Sequence, residues 1–333
     1  MQNPLVSIII PNFNKAPFIA EMVASLKAQT YADFEAIFVD DGSTDTSVEK
    51  FKQCVGEDMR FMVIQHESSK GGSAARNTGF ANSSGEFVMF FDSDDLLAST
   101  CLEKRIEKFK DKQYDECDFL VFSMGCFKEK IGDCESMWCP KMEQDHLFNF
   151  LSHRMPWSVM QPLWRRSFLE KLKINGFVGP FDEEFPRLQD VEMHTHALLL
   201  NPKYHCFERS APDCCYRIDL SRTSASREGQ LTRQIKGFCR YIQVFGTMVQ
   251  NSPKLQKSLR LTFFEALVTL CYWNNQTAIS KEFEKAQRDA LLAVAYSTSL
   301  LNQFHKIIVA VYCTMLRGRI KGVNWLTRKF LSM

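Results

Sequence analysis

The sequence predicts an open α/β sheet in its first half, followed by a region of long helices. Two observations lead there. Short apolar runs of strand length alternate with segments of helical period, the pattern of a sheet with helices on its faces. The conspicuous polar clusters, at residues 12–14, 40–45 and 92–95, all fall just after a predicted strand, where open α/β sheets place their ligand crevice. The chain has 333 residues, 45% of them hydrophobic, 24% charged, with only 11 Pro and 15 Gly. That is enough apolar material for a large core and for about two domains.

Taken in order, Val6-Ser7-Ile8-Ile9-Ile10 is nearly all apolar and is followed by Pro11, as suits a strand buried on both faces. Phe18, Ile19, Met22, Val23 and Leu26 then repeat with the helical period, with Glu21 and Lys27 between them. Phe34 to Val39 is the second strand, closed by Asp40-Asp41-Gly42-Ser43-Thr44-Asp45, which offers turn residues and a helix cap together. The pattern continues with a helix over 46–54, a strand over 60–64, a helix over 73–81, a strand over 87–91, a helix over 99–110 and a strand from Phe119 to Met124. Residues 126–190, rich in aromatics and turns, show little periodicity. From about residue 230 the pattern is helical, weakly interrupted by Gly237 and Gly246.

Forty-one Lys and Arg against 39 Asp and Glu leave a net charge of +2, too balanced for a dedicated nucleic-acid binder. The 12 cysteines contain no Cys-x-x-Cys pair, so the expectation is free thiols in a reducing, cytoplasmic setting. No basic patch precedes the first apolar run, which predicts no secretory signal, and no stretch reaches the ~18 apolar residues of a membrane span. The end of the chain is different. Residues 301–333 carry Lys306, Arg317, Arg319, Lys321, Arg328 and Lys329 with no Asp or Glu, around an apolar decade from Ile307 to Leu316. Such a segment suits the headgroup plane of an anionic membrane, with packing on its own domain or a homodimer contact as the other readings.

Asp92-Ser93-Asp94-Asp95 follows Val88-Met89-Phe90-Phe91 directly, so like charges crowd one strand end and call for a cation. Oxygen donors of this kind suit Mg²⁺ or Mn²⁺ gripping a diphosphate; the plainer reading is a solvated turn before the next helix. Lys70-Gly71-Gly72-Ser73 lacks the full arrangement of a phosphate loop. Glu192-x-His194-x-His196 has a spacing that does not face one way on a helix, and is read as packed or surface histidines rather than a zinc site.

Residues 5–110 resemble the N-terminal part of inverting family 2 glycosyltransferases. The resemblance is carried by Val6 to Asn14, Gln29-Thr30-Tyr31, Val39 to Asp45, Gly72 to Gly79, Gly85-Glu86-Phe87 and Phe91 to Asp95, in the family's order. It implies the GT-A fold, a mixed central sheet flanked by helices, with a catalytic domain over 1–225 and a helical C-terminal region over 226–333. It further implies that Pro11 and Asn12 line a nucleotide pocket, that Asp41 accepts from the base edge and that Arg76 lies near the nucleotide. Asp92 would face ribose or sugar hydroxyls, and Asp94 would hold Mn²⁺ or Mg²⁺ on the diphosphate.

The family's catalytic base comes from a Glu-Asp pair at a helix start. Here Gln189-Asp190 matches it, so Asp190 is the expected base, with Gln189 in place of the usual Glu. Asp182, Glu183, Glu184 and Glu192 are read as charged loop or helix surface. Trp157 and Trp164 are candidates for acceptor surface or, equally, for core packing, and Arg217 or Arg222 for contacts with the leaving phosphates in a closed state, an exposed polar loop being the other reading. The activity implied is transfer of a hexose or N-acetylhexosamine from a nucleotide sugar, most simply UDP-linked, to a hydroxyl of a lipid-carried surface glycan, peripheral to the inner face of the cell membrane. Two other classes remain open. A nucleotidyltransferase would need triphosphate-binding basic residues near the first turn, where only Lys15 stands; a non-catalytic sugar-binding protein would keep the fold without the base.

Overall fold

The first strand, β1 (Val6–Asn12), is buried at every position but Pro11, which is half-buried. A computed structural model describes residues 3–172, 179–208, 210–218, 227–276, 280–301 and 309. The expectations for Arg222 and for the basic tail beyond Leu301 fall outside the described residues, Val309 apart.

After β1 come α1 (Ile19–Lys27), β2 (Phe34–Asp40), α2 (Ser47–Val55), β3 (Phe61–Gln65), α3 (Gly72–Ala81), β4 (Phe87–Phe90), β5 (Leu96–Leu97) and α4 (Cys101–Lys110). These match the expected alternation to within a residue or two, β5 excepted. Beyond them lie β6 (Phe119–Val121), β7 (Met124–Phe127), β8 (Met137–Trp138), α5 (His146–Leu151), β9 (Pro162–Arg165), α6 (Arg166–Leu169), α7 (Gln189–Leu199), β10 (Tyr204–Cys206) and β11 (Cys214–Arg217). Three long helices follow: α8 (Arg227–Met248), α9 (Pro253–Gln276) and α10 (Lys281–Ser297).

The chain divides into two compact units. The first comprises Met1–Gln144, Pro156–Glu183 and His196–Arg222. Its main sheet, among the described residues, has the order β10-β6-β9-β4-β1-β2-β3. Strands β4, β1, β2 and β3 run parallel, and β9 lies antiparallel between β4 and β6, so the sheet is mixed as expected. From β1 the chain winds one way to β2 and β3, then returns to lay β4 on the other side of β1; a crevice opens at such a reversal. Pro11 is tolerated inside β1 because pairing with β4 ends at Ile9 opposite Phe90, so its missing N–H costs no ladder bond on that side.

The single strand expected over 119–124 is two strands in two sheets. β6 stays in the main sheet, whereas β7 joins a smaller one ordered β5-β11-β7-β8. The chain turns between them at the buried Ser123, whose hydroxyl donates to the Phe207 carbonyl at 3.2 Å. The small sheet matters to the site, because β5 follows the acidic cluster directly and pairs with β11. Behind that pair, Arg105 on α4 is fully buried and forks onto Asp213, Nε to Oδ2 at 2.8 Å and Nη2 to Oδ1 at 2.7 Å. Burial works against the Arg105 charge, but the Asp213 carboxylate prevails and holds it firmly protonated.

The second unit comprises Asp145–Met155, Glu184–Thr195 and Thr223–Met333, so two earlier segments join the C-terminal helices. They are tied in by buried polar bonds. The Tyr241 hydroxyl pairs with Thr195 Oγ1 at 2.6 Å and donates to the Phe150 carbonyl at 3.2 Å, and Thr262 Oγ1 donates to the Leu151 carbonyl at 2.6 Å. Gly246 does not interrupt α8. A Cβ there would come within 2.7 Å of the Thr298 side chain, so the glycine allows a close approach to the end of α10. No described helix is long and apolar enough to cross a membrane.

Breaking one side of a buried ion pair strands the other charge, at about 3–5 kcal/mol. Asp213→Ala should therefore lose about that much stability in urea unfolding, and the double variant Arg105→Met/Asp213→Leu distinctly less. Equal losses in the two would contradict the role given to the pair.

Candidate functional site

At the carboxyl edge of the parallel strands lies a cavity of about 190 Å³. Pro11, Asn12 and Lys15 reach it from the end of β1, Asp41 from β2, Gly72 and Ala75 from the start of α3, and Asp92 and Asp94 from β4. Five residues singled out from the sequence, Pro11, Asn12, Asp41, Asp92 and Asp94, are thus brought together from three strand ends.

Side-chain hydrogen bonds, some to side chains and some to backbone, hold the first two strand-end loops together. Asp40 accepts from Asn12 Nδ2 at 2.8 Å, from the Ser43 hydroxyl at 2.5 Å and from the Ser43 N–H at 3.0 Å. Asn14, in the left-handed region at φ 53°, accepts from the Thr44 N–H at 2.8 Å, and Asp45 accepts from the Ala16 N–H at 2.9 Å. Asn12 is 2% exposed, and its Oδ1 has no partner among the described residues; a buried acceptor on a cavity wall is a place for a ligand donor.

Asp41 is held by four bonds. His66 Nδ1 and the Lys70 N–H meet Oδ1 at 2.7 and 2.8 Å, and the Ser69 hydroxyl and Gly71 N–H donate to Oδ2 at 2.7 and 2.8 Å. Burial pushes this carboxyl up, but the bonds from Lys70, His66, Ser69 and Gly71 outweigh it and hold it below the usual carboxylate range. Gly42 is required beside it. Its φ is 74°, and a Cβ would come within 2.8 Å of the Ser69 nitrogen.

At the acidic turn, Arg76 Nη2 donates to Asp92 Oδ1 at 2.6 Å, and Lys15 Nζ donates to Asp94 Oδ2. Asp95 is 1% exposed; burial first, then the neighbouring Asp92 and Asp94 charges, raise its carboxyl well above the ordinary range. Arg217 holds this turn. Its backbone N–H donates to Asp95 Oδ1 at 2.8 Å, its Nε to the Asp94 carbonyl at 2.8 Å and its Nη2 to Glu21 at 2.6 Å, with the guanidinium over the rings of Phe18 and Phe127. In this structure Arg217 is 6% exposed and its fork is spent on the protein, so it does not lie on the exposed loop that was its other reading.

Trp157 and Trp164 follow the packing reading and not the acceptor-surface one. Both are fully buried, packed around Phe119 at ring separations of 6.2 and 4.3 Å, so neither presents an indole face to an acceptor. Asp182 and Glu192, read as surface charges, are buried as well. His194 packs on Phe150 at 5.1 Å.

Asp190 belongs to the helical unit. It lies in the first turn of α7, where backbone N–H groups favour a carboxylate, and it is half-buried. The preceding Leu188 has φ 68° and its carbonyl accepts from the Glu192 N–H at 2.8 Å. A bulky residue in the left-handed region costs about 1–3 kcal/mol and is found most often where function requires the geometry.

Only oxygen donors line the acidic rim, and Asp94 already attracts a cationic side chain, so a hard divalent ion fits the donor set. Among the described residues no group of three or more His, Cys, Asp or Glu could hold a metal alone.

The family model described as Glycosyl transferase family 2 matches residues 7–155. The chain carries a family 2 glycosyltransferase domain. Its fold is GT-A: it resembles Staphylococcus aureus TarS 1-349, solved in complex with UDP-GlcNAc, at a TM-score of 0.64 and 19% identity, over 97% of this chain and 91% of that one. The uncharacterised glycosyltransferase EpsJ of Bacillus subtilis is 33% identical over 198 residues, 56% of this chain and 54% of EpsJ. The Escherichia coli UDP-Glc:α-D-GlcNAc-diphosphoundecaprenol β-1,3-glucosyltransferase WfgD is 39% identical over 106 residues, 32% of this chain and 41% of WfgD. The chain thus spans about half the length of these curated relatives.

Sequence reasoning on this glycosyltransferase domain overlooked Lys15 as a partner of Asp94, and overlooked His66 altogether. The signal for both was the rule already in use, since each lies just past the carboxyl end of a parallel strand. Arg217 gave no such signal, because β11 is only four residues long.

Removing the Arg217 fork deletes two hydrogen bonds to charged or buried partners, worth about 1.5–3 kcal/mol each at a charged group. Arg217→Met should lower stability by about 2 kcal/mol or more and accelerate amide hydrogen exchange over residues 92–97. Arg217→Lys should recover only part of the protection. Unaltered exchange in that segment would show that the guanidinium does not hold the turn.

Proposed function

We propose that this protein is an inverting glycosyltransferase that moves a hexose or N-acetylhexosamine from a nucleotide sugar, UDP-linked, to a hydroxyl of a cell-surface glycan precursor. The observation that carries the reading is the convergence of Asn12, Asp41, Asp92 and Asp94 on one cavity at three strand ends. Pro11 and Asn12 line the nucleotide, and Asn12 Oδ1 takes a donor from it. Asp41 meets an N–H of the base edge by sharing an oxygen already bonded to loop 66–71, so it shapes the base pocket as well as reading it. Asp92, steadied by Arg76, accepts from ribose or sugar hydroxyls.

Asp94 holds Mn²⁺ or Mg²⁺, which when bound supplies Lewis-acid stabilisation of the leaving diphosphate. Asp190 accepts the proton of the acceptor hydroxyl as its oxygen forms the new bond to the anomeric carbon, while the bond from that carbon to the diphosphate breaks on the opposite face. The anomeric centre inverts, and no covalent sugar–enzyme intermediate forms.

A UDP-linked donor is supported by the complex of TarS with UDP-GlcNAc and by the UDP-Glc in the name of WfgD. The diphosphoundecaprenol in that name supports a lipid-carried acceptor, and with it a peripheral position on the inner face of the membrane, assisted by the basic tail. In this reading residues 1–225 form the catalytic domain and residues 226–333 a helical accessory region for membrane or dimer contact.

Asp190→Asn keeps size and removes the base. It should cut transfer, followed as UDP release with acceptor present, by about 10²–10⁴-fold, leave UDP-sugar affinity by calorimetry within twofold, and leave the residual product with the inverted anomer by NMR. Full activity in this variant would reject Asp190 as the base.

A further inference from the structure

We propose that Lys15 is a tethered counter-ion that competes with the divalent cation for Asp94 and passes to the diphosphate when cation and nucleotide arrive together. The proposal rests on the donor reading of the cavity.

The scaffold fixes where Lys15 starts. Its backbone N–H donates to the Ser47 hydroxyl at 3.0 Å, and its carbonyl accepts from the Phe18 N–H at 2.9 Å. On either side, the Asn14 N–H donates to the Ser43 hydroxyl at 2.9 Å and the Ala16 N–H to Asp45 at 2.9 Å. From this pinned backbone the side chain crosses to Asp94 and forms an ion pair, with the two side chains 22% and 7% exposed. Both residues line the same cavity. The ammonium therefore lies against the carboxylate that a hard cation would use.

The two cations compete for one carboxylate. A free divalent ion must displace the Lys15 ammonium before it can bind, which weakens uptake of the ion alone. A cation that arrives with a diphosphate brings phosphate oxygens, and the flexible four-carbon stem of lysine lets the ammonium re-aim towards them without moving its backbone. No charge is then stranded, so cation and nucleotide favour each other's binding, and by linkage the favour is mutual. Asp92 is already balanced by Arg76; a guanidinium held on the protein cannot make the same exchange as easily, which leaves Lys15 as the movable charge of the rim.

The test reads the metal directly. Mn²⁺ is titrated into nucleotide-free protein and followed by the loss of the free-ion paramagnetic resonance signal, for the wild type, Lys15→Met, Lys15→Arg and Lys15→Met/Asp94→Asn. Lys15→Met should bind Mn²⁺ about tenfold or more tightly, Lys15→Arg should stay near the wild type, and the double variant should lose the gain. In calorimetry, the factor by which Mn²⁺ tightens UDP binding should shrink in Lys15→Met. Mn²⁺ affinity that is unchanged or lower in Lys15→Met overturns the proposal, whatever UDP does. Wild type that takes up no UDP with Mn²⁺ present overturns the donor reading and the phosphate half of the proposal, while tightened Mn²⁺ binding in Lys15→Met would still establish the competition.

Discussion

Like charges crowded at the end of a buried strand repel one another, and the rest of the site is arranged to compensate that repulsion. Asp92, Asp94 and Asp95 leave β4 within four residues, and each has its own answer. Arg76 pairs with Asp92, Lys15 with Asp94, and Asp95 sinks into the protein beneath the Arg217 backbone. Without a chain of support these answers would not hold. Arg217 is carried by β11, β11 is paired to β5, and the start of β11 is clamped by the buried fork of Arg105 on Asp213. A hydrophobic core could fix the strand, but only this polar relay fixes the turn beyond it.

The compensation also explains why the cavity is suited to a charged ligand rather than an apolar one. The cationic side chains around its acidic rim differ in freedom: Arg217 is enclosed by two rings and spent on two acceptors, whereas Lys15 has a flexible stem and a partly exposed head. Rigid charges shape a site, and mobile ones can be exchanged for a ligand's. Asp41 likewise spends its oxygens on loop 66–71, which fixes that wall of the cavity in place.

Much of this was legible in the sequence. Strands β1 to β4 are apolar runs of four to seven residues divided by helices of clear period, so their order and the convergence of their polar ends could be read directly. Residues 126–190 were not legible for an equally physical reason. Their strands are two to four residues long, too short to show an alternation, and their pairing is decided by partners distant in sequence. The same distance hid the roles of buried polar groups. The resemblance offered Arg217 as a phosphate ligand and Trp157 and Trp164 as sugar platforms beside plainer readings, because a side chain's type shows what it can bind, while only the fold shows that each is already engaged or enclosed.

In the proposed reaction the donor diphosphate would meet a cation at Asp94, between the ends of β1 and β4. Diffraction from crystals grown with Mn²⁺ and UDP, collected at a wavelength where manganese scatters anomalously, addresses this directly. The account predicts one anomalous peak at coordination distance from the Asp94 carboxylate and the diphosphate oxygens, with the base beside Asp41 and the Lys15 ammonium moved off Asp94. A nucleotide bound elsewhere, or manganese bound away from Asp94, would contradict it.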